Sequence, residues 1–439
     1  MKSTPASLTI HPGVRVVLLC VGLVLLVGLL YSLKTVTLGD SANSRLATVY
    51  ALTHEGTWYI DSPPDRAPNP FAMNTVDKVE LQGRMLSTKP PILPLLMTGE
   101  YVVLRSVLGW DLSDRTQLKH IVQGMVLGMA IVPFIIILII FARFLEHFIA
   151  TPWRRIPPFI VLALGTQLPG FATQISNHIP GTCAMMLALY FALVLGSKRV
   201  SPTPWRFMAF GFFGGLTFTL DMPLTVFIAA AGLYLIFKFP RQAILYSGVA
   251  MALPLLVHFA VMIYVTGSPL PIQMRKELYF YEGAFWRSPS GLDGLNEPKG
   301  IYGFHILLGR FGLFLLFPVL ITGVVAVFQS LQDRSLPWRG YILGGFTACV
   351  LLSFYYIFNT NNYGGSAYGF RWYIGVMPVL LMMSAPVYER MRAWWAWGIW
   401  VMLFGMSMYS AWECFQAPWG SCHEWTVRLI FGAPFGSSS

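Results

Sequence analysis

The sequence predicts an all-α polytopic membrane protein, a bundle of about eleven transmembrane helices. Of its 439 residues, 55% are hydrophobic and only 11% are charged, whereas a soluble chain carries about 25% charged residues. The apolar runs are much longer than the roughly ten-residue alternating strands of a membrane barrel. The formal net charge of +11 comes from short basic clusters between apolar runs, the positive-inside pattern of helical membrane proteins. The charge therefore indicates topology, and no nucleic-acid partner is expected.

The first apolar run of spanning length, residues 14–33, lies close to the basic residues Lys2, His11 and Arg15. It is too long for a typical signal-peptide core, and no small-residue cleavage site follows it, so we expect an uncleaved first span. Ten further candidate spans follow, at residues 121–141, 158–171, 182–195, 207–220, 224–237, 244–265, 304–328, 341–357, 372–387 and 393–411.

Residues 92–109 decide the orientation of every later helix. The segment is apolar but carries Glu100 and Arg105. If it does not cross, the five short basic loops all fall on one side, as the positive-inside rule requires; they are residues 143–155, 198–206, 238–241, 334–339 and 390–392. We therefore predict an interfacial amphipathic helix here, with the N-terminus inside and the C-terminus outside. A twelfth crossing stays open as the alternative.

This topology predicts one membrane domain, residues 1–439, with its polar segments on the outer face. The first outer loop, residues 34–109, would contain juxtamembrane helices and many of the ionisable groups of the chain. Ionisable groups gathered at a membrane interface mark a candidate functional site. A second outer loop, residues 266–303, mixes charged and aromatic side chains, which suits either a lid over the site or an interfacial aromatic belt. The outer C-terminal tail is expected at residues 413–439.

The chain has five cysteines. Cys20, Cys183 and Cys349 lie in apolar runs and are expected to be small packing residues. Cys414 and Cys422 flank a short polar stretch, and both a disulfide and two separate thiols stay open for this pair.

Asp40 follows the first span by a few residues, at the start of a short helix predicted over residues 41–54. A carboxylate at the membrane boundary can act as a general base toward an acceptor hydroxyl. The same position suits a residue that caps the helix. Both roles for Asp40 stay open from the residues alone.

The order of the motifs resembles the GT-C glycosyltransferases that use polyprenyl-phosphate sugars. These include bacterial aminoarabinose transferases, protein O-mannosyltransferases and the glycosyltransferase-39 and RgtA-like group. The matching features are Asp40 after the first span, an amphipathic helix, and a Lys-Pro-Pro at residues 89–91 that opens an apolar segment. A late Gly-rich loop that contains an arginine, residues 362–372, also resembles this group, as does the polar outer segment 174–180. The resemblance covers about the first two hundred residues and the late loop.

The resemblance implies an inverting enzyme that moves a sugar from a polyprenyl-phosphate-linked donor to a glycan, lipid or protein acceptor. It implies a bacterial inner membrane location, with the site on the periplasmic face in contact with membrane lipids. Asp40 would be the catalytic base. The leaving phosphate needs positive charge, and the expected donor-phosphate partners are Lys78, Arg84, Lys89 and Arg371. The expected substrate-binding residues are Arg45, Asp61, Asp77, Asn177, His178 and Tyr368.

Two positions depart from the family pattern. Thr88 precedes Lys-Pro-Pro where many relatives have an acidic residue, and Ser41 follows Asp40 where an acidic neighbour is usual. An acidic pair for a metal ion is thus missing, so we predict metal-independent chemistry without a cofactor. Asp221, in a tight turn between spans, is expected to be structural.

Two other functions stay open. A secondary transporter or lipid flippase would have ionisable groups at mid-membrane depth and repeat-related halves, whereas the polar groups here gather at one face. A non-catalytic membrane subunit with a transferase-like scaffold would have the same sequence features. No phosphate-binding loop, zinc-protease motif or serine-hydrolase motif occurs in the chain.

Overall fold

Helices make up most of the structure, a computed structural model that describes residues 12–33, 38–197, 200–336 and 338–420. The α-helices of this part of the chain are α1 Pro12–Ser32, α2 Asp40–Tyr50, α3 Ile92–Leu108, α4 Arg115–Val126, α5 Val132–Phe148, α6 Ile156–Leu164, α7 Leu168–Phe171, α8 His178–Gly196, α9 Pro204–Leu220, α10 Thr225–Lys238, α11 Pro240–Gln242, α12 Gly248–Thr266, α13 Lys299–Leu307, α14 Leu313–Leu316, α15 Ile321–Gln332, α16 Arg339–Asn359, α17 Val376–Met383, α18 Ala385–Arg390 and α19 Trp394–Gln416. Short 3-10 and π-helical turns join several of them. Lys2, His11, residues 34–37 and residues 421–439, with Cys422 and most of the predicted tail, lie outside the described residues.

Within the described residues, five helical segments are long and apolar enough to cross a membrane. They are Gly13–Ser32, Arg115–Phe148, His178–Gly196, Pro240–Thr266 and Arg339–Asn359. Two shorter apolar segments are Met222–Lys238 and Pro318–Gln332. Each of the five has at least 19 residues, long enough to cross the roughly 30 Å hydrocarbon core of a bilayer. The chain is an integral membrane protein, and the total of about eleven crossings stays a prediction.

Three of the predicted spans are interrupted in the structure. Residues 158–171 divide into α6 and α7, residues 304–328 into α13, α14 and α15, and residues 372–387 into α17 and α18. Proline has no backbone N–H and fits the first turn of a helix better than its interior. Accordingly, a proline lies within the first two residues of the helical turn that follows a break, at Pro169, Pro318 and Pro386.

One β-hairpin interrupts the first outer loop and was not predicted. Its strands, β1 Lys78–Leu81 and β2 Arg84–Ser87, pair antiparallel. The turn residues Gln82 and Gly83 both have positive φ, 54° and 77°, as a two-residue type I′ turn requires. The hairpin packs on the end of α12 and the loop after it, through a small second core of Val79, Leu86, Met262, Ile272 and Leu278.

Residues 92–109 form helix α3 and its C-cap, as predicted. The continuous helix Arg115–Phe148 has 34 residues and is about 51 Å long at 1.5 Å per residue, longer than a bilayer core. The Gln123 amide in its first part donates to the Leu33 carbonyl oxygen at 2.7 Å, so this helix begins on the side where α1 ends. This arrangement fits an interfacial α3. That α3 does not cross the membrane stays a prediction.

Helices α9 and α12 lie in close backbone contact. A Cβ added at Gly211 would be 2.0 Å from the Ser247 carbonyl oxygen, and one at Gly215 would be 2.6 Å from the Met251 carbonyl oxygen. Small residues spaced four apart allow such an approach in membrane helices.

Candidate active site

Helix α2 holds the first outer loop in place through its buried residues. Eight consecutive residues after its first two are buried or nearly so, and Ser44 is completely buried. The Ser44 hydroxyl donates to the Asp77 carbonyl oxygen at 2.6 Å and contacts the Ser87 hydroxyl at 2.7 Å. The two ends of the hairpin are thereby attached to one turn of α2.

This attachment brings Asp77 and Lys89 together. The Lys89 ammonium lies 2.6 Å from an Asp77 carboxylate oxygen, and the two side chains are only 17% and 13% exposed. The Thr88 backbone N–H donates to the Asp77 carbonyl oxygen at 3.1 Å, which fixes the approach of the two residues. Two of the predicted site residues thus form a largely buried ion pair.

Arg45, one helical turn after Asp40, is 1% exposed. Its guanidinium donates to the Ser41 carbonyl oxygen at 2.9 Å and, across 132 residues of sequence, to the Asn177 side-chain oxygen at 2.7 Å. Its Nε makes no hydrogen bond within the described part of the chain. A buried guanidinium with an unused donor is a ready partner for an anion.

His178, the first residue of α8, lies beside Asn177. Its Nδ1 is 2.8 Å from an Asp221 carboxylate oxygen, and both side chains are less than a tenth exposed. The charge of Asp221 acts on both Arg45 and Arg371, so this turn belongs to the site and is not only a connection between helices.

These contacts, together with the electrostatic influence of Asp77 and Asp221 on Arg371, define a charge cluster of six residues: Arg45, Asp77, Lys89, His178, Asp221 and Arg371. It holds three cations and two carboxylates, and a further carboxylate, Asp293, acts on Arg371 from outside it. Burial makes an unbalanced charge costly unless a counter-ion is present. The cluster is therefore suited to receive an anion.

The pKa values in the cluster report both burial and neighbouring charge. Burial lowers the pKa of Arg45 to about 10, with a partial offset from Asp77. Burial also lowers the pKa of Arg371, although the charges of Asp77, Asp293 and Asp221 offset part of the effect. Burial alone would raise the pKa of the Asp77 carboxyl, but the Lys89 ammonium holds it below its ordinary value.

Asp40 lies at the edge of the charge cluster. It is the exposed first residue of α2, and the N-cap residue is Gly39, which makes no side-chain cap hydrogen bond. The Asp40 carboxylate instead accepts the Val76 backbone N–H at 3.0 Å. The Asp40 carboxylate therefore does not cap α2. It anchors residue 76 of the loop, and it is exposed enough to meet an acceptor hydroxyl.

Two residues that the sequence reasoning did not single out connect Asp40 to the cluster. Asp293 is influenced electrostatically by Arg371, Asp77 and Asp40. Trp419 lies 5.1 Å from the Arg371 guanidinium in a cation–π arrangement. A Cβ on Gly39, the residue before Asp40, would be 3.8 Å from the same indole ring. Trp419 is therefore near both the start of α2 and Arg371.

Signals for these two residues were weak in the sequence. Asp293 lies in the loop at residues 266–303, which mixes charged and aromatic side chains. No sequence motif distinguishes its carboxylate from the neighbouring charged residues. Trp419 follows the last helix, where aromatic residues are common at a membrane interface. Its hydrogen bond to Gln174, 2.8 Å long, spans 245 residues.

Four of the expected site residues make their contacts elsewhere. Arg84 donates to the Asp61 carboxylate at 2.6 Å and lies over the Tyr59 ring at 4.7 Å. The Lys78 ammonium donates to the Ala72 carbonyl oxygen at 3.2 Å. The Tyr368 hydroxyl donates to Glu413 on α19 at 2.8 Å. The structure does not bring these four predicted residues, Lys78, Arg84, Asp61 and Tyr368, into the charge cluster, because local partners hold their polar atoms.

The variant Arg84→Ala tests whether Arg84 binds the donor phosphate or only supports the hairpin. Its ion pair with Asp61 is partly exposed, 38% and 32%, and such pairs contribute only about 0–1 kcal/mol. We expect a small loss of thermal stability and sugar transfer within about twofold of wild type, since the changed group lies outside the cluster. A large fall in donor affinity would instead show that Arg84 binds the donor phosphate.

No group of three or more His, Cys, Asp or Glu side chains is arranged to hold a metal ion among residues 12–33, 38–197, 200–336 and 338–420. Metal-independent chemistry stays a prediction.

Known proteins resemble this chain in structure and not in sequence. No protein-family model and no curated protein sequence matches it. The crystal structure of ArnT from Cupriavidus metallidurans bound to undecaprenyl phosphate aligns with a TM-score of 0.53 over 88% of this chain. ArnT is a GT-C aminoarabinose transferase. This chain has the fold of ArnT. The apo structure of the same enzyme aligns with a TM-score of 0.51, also over 88% of this chain.

The fold shared with ArnT confirms the all-α polytopic class and the structural side of the predicted resemblance. Sequence identity to both ArnT structures is 12%, and the alignment covers 62% and 61% of the ArnT chain. This chain thus spans about three fifths of the length of ArnT. At this identity the likeness establishes the fold alone.

Proposed function

We propose that this chain is an inverting glycosyltransferase that moves a sugar from a polyprenyl-phosphate-linked donor to an acceptor. The observation that carries the proposal is the charge cluster, where Arg45, Lys89 and Arg371 face two carboxylates in a GT-C fold. The buried guanidinium Nε donors of Arg45 and Arg371, which make no hydrogen bond within the described residues, favour an anionic ligand. The ArnT structure contains undecaprenyl phosphate, which supports the same class of ligand here.

The cluster supplies the positive charge that the leaving phosphate needs. Arg371 offers a planar set of N–H donors for two phosphate oxygens, and Lys89 offers a compact point charge. Arg45 adds a third cation with an unused Nε. As the sugar leaves, negative charge builds on the phosphate oxygen, and fixed cations in a site of low polarity stabilise that charge strongly.

Asp40 supplies the base in the proposed reaction. Its carboxylate accepts the proton of the acceptor hydroxyl while the hydroxyl oxygen forms a bond to the anomeric carbon. The bond from that carbon to the phosphate oxygen breaks, and its electron pair remains on the phosphate. Attack from the side opposite the leaving group inverts the anomeric carbon. This arrangement is supported by Trp419, which lies near Gly39 and Arg371, and by Asp293, on which the charges of Asp40 and Arg371 both act.

The remaining predicted residues have supporting roles in this proposal. Asn177 orients Arg45, and His178 orients Asp221, through the hydrogen bonds described above. The loop at residues 266–303 is the lid in this proposal, because its residue Asp293 is influenced electrostatically by Arg371. The proposed location is the periplasmic face of a bacterial inner membrane, since the basic loops fall on the other side.

The test uses purified protein in proteoliposomes. Undecaprenyl phosphate should bind, and undecaprenol, which has the same tail without the phosphate, should bind much more weakly. Undecaprenyl-phosphate hexose or aminoarabinose with a radiolabelled sugar should transfer label to bacterial envelope acceptors, with an inverted anomeric centre by NMR. Equal binding of the two lipids, together with no transfer from any donor, would contradict the proposal. Movement of the intact labelled lipid across the bilayer would indicate a flippase.

A further inference from the structure

An apolar cavity of about 440 Å³ lies far from the charge cluster. Helix α8 begins at the cluster with His178 and reaches the cavity with Leu189 and Ala192. Its 19 residues span about 28 Å at 1.5 Å per residue. Helix α16 runs in the opposite direction, from Arg339 at the cavity toward the cluster. The cavity thus lies at the opposite end of the bundle from the proposed active site.

The walls of the cavity are built for hydrocarbon. Its lining is aromatic and aliphatic, and glycines on α16 make the space: a Cβ at Gly344 would meet no atom within 4 Å. The volume lies in the range of small-molecule sites, about 300–1,000 Å³. Ala230 and Tyr234, which line it, are exposed on α10 beside the exposed Phe237. The opening therefore faces the hydrocarbon of the membrane.

The mouth of the cavity, in contrast, is polar and basic. Arg339 lines it, and the Lys238 ammonium lies 3.3 Å from the Tyr234 hydroxyl and 2.5 Å from the Gly196 carbonyl oxygen. The Tyr341 hydroxyl is buried there and makes no hydrogen bond within the described chain. Two cations and hydroxyl groups above an apolar space match the phosphate and the chain of an anionic lipid.

We propose that this cavity binds one acyl chain of an anionic phospholipid, with the lipid phosphate held by Lys238 and Arg339. The site is separate from the donor site and does not depend on the proposed reaction. A donor tail entering from the cluster would use only the apolar walls and would leave the Tyr341 hydroxyl at the mouth without a partner. A phospholipid from the adjoining leaflet uses both the walls and the mouth.

The test is photo-crosslinking in nanodiscs that contain phosphatidylglycerol with a diazirine in one chain. Label should concentrate on the cavity wall in α16, residues 341–348, as mapped by mass spectrometry. Gly344→Leu fills the open space and should abolish this label. Gly398→Leu, the same change on the exposed face of α19, also meets no atom within 4 Å with its Cβ and should leave the label unchanged.

A second comparison tests the headgroup. The same diazirine chain on phosphatidylcholine should label the wall less, and Arg339→Gln should remove this difference while keeping the cavity open. Labelling that Gly344→Leu does not change, or equal labelling by both headgroups in wild type, would overturn the proposal. Labelling of the wall by a diazirine polyprenyl phosphate in preference to phosphatidylglycerol would assign the cavity to the donor tail and overturn it as well.

Discussion

Asp40→Asn is expected to reduce sugar transfer by about 10²–10⁴-fold, the usual contribution of a positioned general base. The asparagine oxygen can still accept the Val76 N–H that Asp40 accepts at 3.0 Å, so the fold should persist. Removing the negative charge at the start of α2 costs only about 0.3–1 kcal/mol. Undecaprenyl phosphate binding should therefore change little while kcat falls, measured by transfer in proteoliposomes.

Asp65→Asn is the matched control, because Asp65 is exposed in the same outer loop. It should retain transfer near the wild-type rate. If Asp40→Asn lowers thermal stability and donor binding in parallel with turnover, Asp40 is an anchor for residues 75–76 and not a base. Transfer at the wild-type rate in Asp40→Asn would reject the catalytic assignment altogether.

Lys89→Met should lower both stability and donor affinity. It leaves the Asp77 carboxylate, 13% exposed, without its cation, and breaking a buried ion pair costs about 3–5 kcal/mol. It also removes one of three cations that receive the phosphate. We expect a clearly lower Tm in detergent and a large loss of undecaprenyl phosphate binding, measured against undecaprenol.

The double variant Asp77→Asn with Lys89→Met separates the two effects. It removes both charges, so much of the stability should return, whereas donor binding should stay weak. Acid provides a second check, because the pKa of Asp77 is held below its ordinary value in the folded protein. The stabilisation by the pair is complete above the unfolded pKa, about 3.9, and is lost as the pH falls through the folded pKa. The Tm difference between wild type and Lys89→Met should therefore narrow below about pH 4. Recovery of binding in the double variant would show that Lys89 has no role toward phosphate.

Local patterns predicted the parts of the site that follow each other along the chain. The spacing from the first span to Asp40, and then to Lys89-Pro90-Pro91, identified the segment that holds half of the charge cluster. The Gly-rich loop identified Arg371. These signals are readable because hydropathy marks where the chain leaves the bilayer, and charged groups kept at such points are costly unless they have a role.

Pairing between distant segments was not predictable in the same way. Arg84 and Lys89 are both cationic and lie five residues apart, yet Arg84 on the hairpin pairs with Asp61 whereas Lys89 pairs with Asp77 in the cluster. The hairpin decides between them, since Arg84 begins strand β2 and Lys89 follows the end of that strand. The sequence signal for this hairpin was its turn, Gln82-Gly83, between alternating apolar residues.

The sequence by itself determined that this protein is a helical membrane protein with its ionisable groups gathered around the first outer loop. Burial of about twenty apolar residues per crossing dictates that result, whatever the helices pack against. Only the packing of the chain set which of those groups share a site, and it added Asp293, Trp419 and Asp221 to the neighbourhood of Arg371. The physical reason is that ion pairs and hydrogen bonds act over a few ångströms in space, while their partners here lie up to 245 residues apart in the chain.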